Sequence, residues 1–152
     1  MVERRFRRLA VVGIAVAALV LLSAKVLNAD DPRDPCQAPS AAPPAETALM
    51  PAGLSFDEIG MVTRVRKDGR YIMVHGGTTK PIDEVTVLIQ DAVAAAGYRP
   101  AGMDNEGFEA EVFFTAGSYA AGQALVRRAG CKGRWDIDLV LIDRHVVPSR
   151  GE

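Results

Sequence analysis

Apolar positions along this chain follow three rhythms, and each predicts a different kind of element. The first is unbroken: Leu9 to Ala24 carries no charge, and only Lys25 interrupts the run before Leu27. Sixteen helical residues reach about 24 Å; the span 9–27 comes closer to the roughly 30 Å of a hydrocarbon core, with Lys25 placed to snorkel at its end. The second rhythm has a period of two. Met61–Arg66 and Tyr71–His75 read as the strands of a hairpin turned at Asp68-Gly69. Phe108–Thr115 and Trp135–Ile142 alternate over eight residues each, and Tyr98–Met103 is a weaker strand that contains Pro100. The third rhythm has steps of three and four. Ile82, Val85, Ile89, Val93 and Ala96 predict a helix, with Pro81 in its first turn, Asp83 and Glu84 at its positive end and Gly97 at its stop. A second helix is expected from about Tyr119 to Ala129, capped by Ser118 and ended by Gly130.

Strand, glycine, hydroxyl residue, helix, Ala-Gly and strand thus occur twice in order. Two such units in tandem give the ferredoxin-like β-α-β-β-α-β plan. The expected fold is α+β: that plan with an extra N-terminal strand or hairpin, preceded by one transmembrane helix and a Pro/Ala-rich linker. One conflict is built in. The first strand of the plan is central and already has two neighbours, so residues 71–75 have no free edge for 61–66.

Charge is distributed unevenly. Arg4, Arg5, Arg7 and Arg8 precede the apolar run, and no basic cluster follows it, which keeps the N-terminus in the cytoplasm and sends the remainder outside. From Val26 onward there are 13 basic and 18 acidic residues, a net of −5. That sign excludes a basic stripe for nucleic acid. Residues 1–8 form a basic cytoplasmic tip, 9–27 the membrane helix, 28–53 a disordered linker with six prolines, 54–146 the displayed domain and 147–152 a tail. The partner of the N-terminal helix is the lipid bilayer, and the protein is expected in the cell membrane as a single-pass chain. Cleavage after Leu27-Asn28-Ala29 is the alternative; it leaves the domain on the same side. Lipid attachment at Cys36 is disfavoured by Arg33-Asp34-Pro35 before it. Cytoplasmic tip, single span, Pro-rich spacer and small β-α-β-β-α-β domain together resemble the layout of cell-wall-binding proteins with a sporulation-related repeat domain, which implies a glycan- or small-ligand-binding module.

Two cysteines in an oxidising compartment point to one disulfide, Cys36–Cys131, with an intermolecular bridge or free thiols as alternatives. His75 and His145 stand in no ligand spacing with them, so no metal and no cofactor is expected. No catalytic residue is assigned. Glu109, Glu111, Asp136 and Asp138 share the sheet face away from the helices, where alternate charges mark a solvated surface. Gly76, Gly77 and Thr78 before the first helix, and Gly117 and Ser118 before the second, offer a weak anion-binding rim of two helix N-termini. The same outer face carries Tyr71, Met73, Phe113, Val140 and Ile142, more apolar surface than solvent requires. Residues 54–66 (Leu54, Phe56, Ile59, Met61) fold back over it, an envelope protein or a second copy covers it, or it forms a ligand groove. The functional expectation is a non-catalytic interaction or scaffold protein of the bacterial cell envelope.

Overall fold

A computed structural model describes Cys36 and residues 39–117 and 119–143. The expected span 9–27, Ser118 and residues 144–152 lie outside the described residues; within them, no helix is long and apolar enough to cross a membrane. Eight elements follow in order: α1 Pro44–Thr47, β1 Met61–Asp68, β2 Tyr71–Thr78, α2 Ile82–Ala95, β3 Arg99–Asn105, β4 Glu109–Ala116, β5 Tyr119–Arg128 and β6 Trp135–Ile142. The domain is α+β, a single antiparallel sheet with strand order β1-β2-β6-β5-β4-β3 and two helices.

The hairpin β1–β2 forms as its alternation predicts. Asp68 pairs with Tyr71 across the loop Gly69-Arg70, and Gly69 takes the positive φ of 55° that such a tight loop demands. From β2 the chain passes through α2 to the far edge of the sheet. It then returns as the meander β3–β4–β5–β6 until β6 closes against β2. This order removes the conflict in the sequence reading, because β2 has β1 on one side and β6 on the other.

The ferredoxin-like plan is not what forms. Residues 119–128 are a strand, paired with β4 and β6, and no second long helix exists there. The Ala- and Leu-rich sequence YAAGQALVRR has good helix propensity, yet it also alternates. Gly122, Ala124 and Val126 turn inward, while Gln123, Leu125 and Arg127 share the outer face. Tertiary demand decides between the two patterns. A Cβ on Gly122 would sit 2.4 Å from the Val140 carbonyl oxygen and 2.7 Å from Leu141 Cδ2. This crowded position between β4 and β6 admits only glycine.

One face of the sheet holds the core. Ile82, Val85, Ile89 and Val93 of α2 are buried, and the helix packs on β3, β4 and β5, where Ala110, Val112, Phe114, Ala124 and Val126 meet it. The other half of that face is covered by the segment before β1. Leu54, Phe56 and Ile59 join the same core, and the Phe56 ring comes within 3.4 Å of where a Gly76 Cβ would stand. Residues 54–59 therefore cover the α2 side of the sheet, not the outer face.

Within the expected linker 28–53, residues 42–50 lie against the domain. Pro43 and Pro44 start the one-turn helix α1, and the Ala42 N–H donates to the Val62 carbonyl at 2.8 Å. Glu46 Oε2 accepts the Val65 N–H at 3.0 Å, so this strap satisfies the outer edge of β1. Met50 packs against the core. Cys36, at the strap's start, is bonded to Cys131 in the β5–β6 loop, closing a sequence separation of 95. The opposite edge, β3, is blunted by Pro100 and a register shift between Pro100 and Gly102.

Two outcomes are expected. Gly122→Val should destabilise the domain by about 2 kcal/mol or more, read as a lower urea midpoint, because backbone rather than a flexible side chain blocks the new atoms. Replacing both Cys36 and Cys131 by serine should lower stability by about 2–4 kcal/mol in the same assay, as expected for opening so long a loop.

Candidate functional site

On the face turned away from α2, cross-strand register arranges side chains in levels. Tyr71 pairs with Ile142. At the next level Met73 pairs with Val140, Val140 with Gln123, and Gln123 with Phe113. All five residues proposed from the sequence for partner contact are thus brought together on adjacent levels. Val140 is only 7% exposed, and Tyr71, Met73, Phe113 and Ile142 are half-buried. Neighbours on a flat sheet shield one another, so this strip is apolar without being deeply recessed.

The following level is charged. Arg64, His75, Asp138, Leu125, Glu111 and Asp104 run in that order from β1 to β3. Asp138, 5% exposed, is its centre. Its Oδ1 meets His75 Nδ1, and its Oδ2 accepts from Arg127 Nη2 at 3.0 Å. A buried carboxylate is tolerated here because both oxygens are engaged by cationic donors. The hydrogen bond to Asp138 raises the His75 pKa above its ordinary value of 6.5; Asp138 and Asp136 add their charge, while burial and Arg127 oppose them. Glu111 is also shifted upward, first by burial and then by the crowding of Glu109, Asp104 and Glu106. Gln123 Nε2 donates to Glu111 Oε1 at 3.3 Å.

A histidine–aspartate pair suggests two thirds of a hydrolytic triad, but no described Ser, Thr or Cys side chain hydrogen-bonds His75 Nε2. The nearby Thr63 hydroxyl is committed to the His75 carbonyl at 3.2 Å. No group of three metal-ligating side chains exists among the described residues. What the arrangement can do is present a fixed pattern of charge beside an apolar strip.

The anion-binding rim does not assemble. Gly76, Gly77 and Thr78 lie inside β2, paired with β6, and so do not form a loop of free amides. The Thr78 hydroxyl accepts the Lys80 N–H at 3.2 Å. Gly117 sits in the β4–β5 turn at the opposite end of the strands, and without a second long helix there is no second N-terminus. Among the described residues, two hollows border the domain. One of about 340 Å³ lies by Gly77, Thr78, Lys80 and Arg134, with Asp57 and Glu58 on its rim. The other, of about 560 Å³, lies between residues 48–52 and Lys67, Tyr98 and Asp143. Neither touches the apolar strip.

Gln123, Arg127 and His75 are among the members of the site that sequence reasoning missed. Arg127 was hidden by the helix expectation for its segment. His75 shares parity with Tyr71 and Met73, so the alternation already placed it on their face. Comparison of the chain with protein-family models, with curated proteins and with solved structures finds no match.

A pH dependence follows from His75. A raised folded value means the folded state holds its proton more tightly, so stability rises toward low pH. The contribution is complete below about 6.5 and fades as pH climbs through the folded value. In an NMR titration the His75 ring should show a midpoint above 6.5, and Asp138→Asn should bring that midpoint down. An unchanged midpoint in the variant contradicts the assignment.

Proposed function

We propose that this chain is a membrane-anchored, extracytoplasmic interaction protein of the bacterial cell envelope, working without catalysis through the face of its sheet opposite α2. One observation carries the reading: Met73, Val140, Gln123 and Phe113 form a continuous cross-strand row beside Tyr71 and Ile142, on the face that no described helix covers. Apolar strips of this kind, rimmed by charge, are the usual substance of protein interfaces. The arginine-led apolar run of the N-terminus supports the anchor, and the Cys36–Cys131 bridge suits an oxidising compartment outside the cytoplasm. The glycan-binding alternative is less favoured, because its resemblance leaned on the two-unit strand plan.

The test is proximity labelling from the full chain in its native membrane. Phe113→Glu, and independently Met73→Lys, should strip the labelled neighbours while expression and protease resistance stay at wild-type level. An unaltered set of neighbours in both variants overturns the reading.

A further inference from the structure

The outer face is complementary to itself. Consider a second copy turned by 180° about an axis that lies in this face and runs parallel to the strands. Each residue keeps its level, and the strand order reverses, so that β1 faces β3, β2 faces β4 and β6 faces β5. At the first level Asp68 then meets Arg99, and Tyr71 meets Thr115. At the second, Met73 meets Phe113, a thioether on an aromatic ring. At the third, Arg64 meets Asp104, and His75 meets the acid-crowded Glu111. At the fourth, Asp136 meets Arg127. Opposite charges face each other at every charged pairing, and like charges face each other at none.

The other in-plane axis, perpendicular to the strands, fails this test. It sets each strand against its own counterpart, Arg64 against Arg66 and Glu111 against Phe113. It also sends the two Cys36–Cys131 bridges to opposite ends. With the parallel axis, both Cys36–Cys131 bridges lie at the same end of the strands, beyond Arg128 and Trp135. Only eight residues, 28–35, separate the expected membrane helix from Cys36, a reach of at most about 28 Å. Two copies held in one bilayer need their stalks on the same side.

We propose that the occupant of the outer face is a second copy of this chain, stacked face to face as a two-fold dimer whose axis is parallel to the strands. This rests on the interaction reading above and names its partner. Six strands spaced about 4.8 Å apart and about 26 Å long offer a footprint on the order of 600 Å² per copy, or about 1,200 Å² in all, which is sufficient for a specific interface. Sheets stacked in this way sit about 10 Å apart.

Sedimentation equilibrium of the full chain in mild detergent tests it. The wild type should be dimeric, and Phe113→Glu monomeric. Asp68→Arg alone and Arg99→Asp alone should each weaken the dimer about tenfold, since each sets like charges opposite at two symmetric places. Mixing these two variants should restore wild-type affinity in a heterodimer, where every acid again meets a base. Residues 68 and 99 lie on opposite edges of one sheet, about 24 Å apart and beyond the screening length, so rescue on mixing reports contact between copies. A monomeric wild type, a mixture no tighter than its components, or a dimer indifferent to Phe113→Glu overturns the proposal. If the wild type is monomeric while Phe113→Glu still strips neighbours in cells, the second copy is excluded and the interaction reading stands.

Discussion

A sheet has two faces, and the described residues of this chain cover one. The single long helix α2 and the segment around Leu54, Phe56 and Ile59 together occupy one side of six strands. Every other feature depends on that shortage. The core is one layer deep, built where Val112, Phe114, Val126, Leu139 and Leu141 meet α2 and the segment before β1. The opposite side must then live with water or with another surface. Its chemistry compromises between the two, with an apolar row beside a charged row and a buried aspartate neutralised within the sheet by His75 and Arg127.

The edges are handled differently from the faces. β1 has its Val62 carbonyl and Val65 N–H taken by Ala42 and Glu46, whereas β3 is protected by Pro100 and a broken register. Growth by edge pairing is thereby discouraged at both ends of the sheet. Under the proposed reading, association falls to the flat surface, where side-chain identity and not backbone hydrogen bonding decides what fits. Specificity of that kind comes from charge pattern, which discriminates against wrong registers more sharply than apolar contact does.

Much of this was legible in the residues. The hairpin at Gly69, the helix starting at Ile82 and the strand Trp135–Ile142 follow from period and punctuation alone. So does the sharing of one face by Tyr71, Met73, Phe113, Val140 and Ile142, since parity survives any error in strand order. The strand Tyr119–Arg128 was not legible as such, because alanine, leucine and arginine favour a helix in isolation. Its conformation is imposed by the two strands beside it, a non-local demand that local propensity cannot register. The strap was obscured for a related reason. Prolines speak for extended chain, but Pro43 and Pro44 also begin a helical turn when an edge strand is there to receive it.

The pairing of β2 with β6 joins the second strand made to the last one made. A chain that emerges N-terminus first therefore holds an early hairpin and a growing meander with nothing between them until Ile142 arrives. Stable closure is deferred until β6 has been made, and the loop entropy of some sixty residues must be overcome in that single step. Until then neither half of the sheet is complete, and the domain sets into one piece only when β6 is in place.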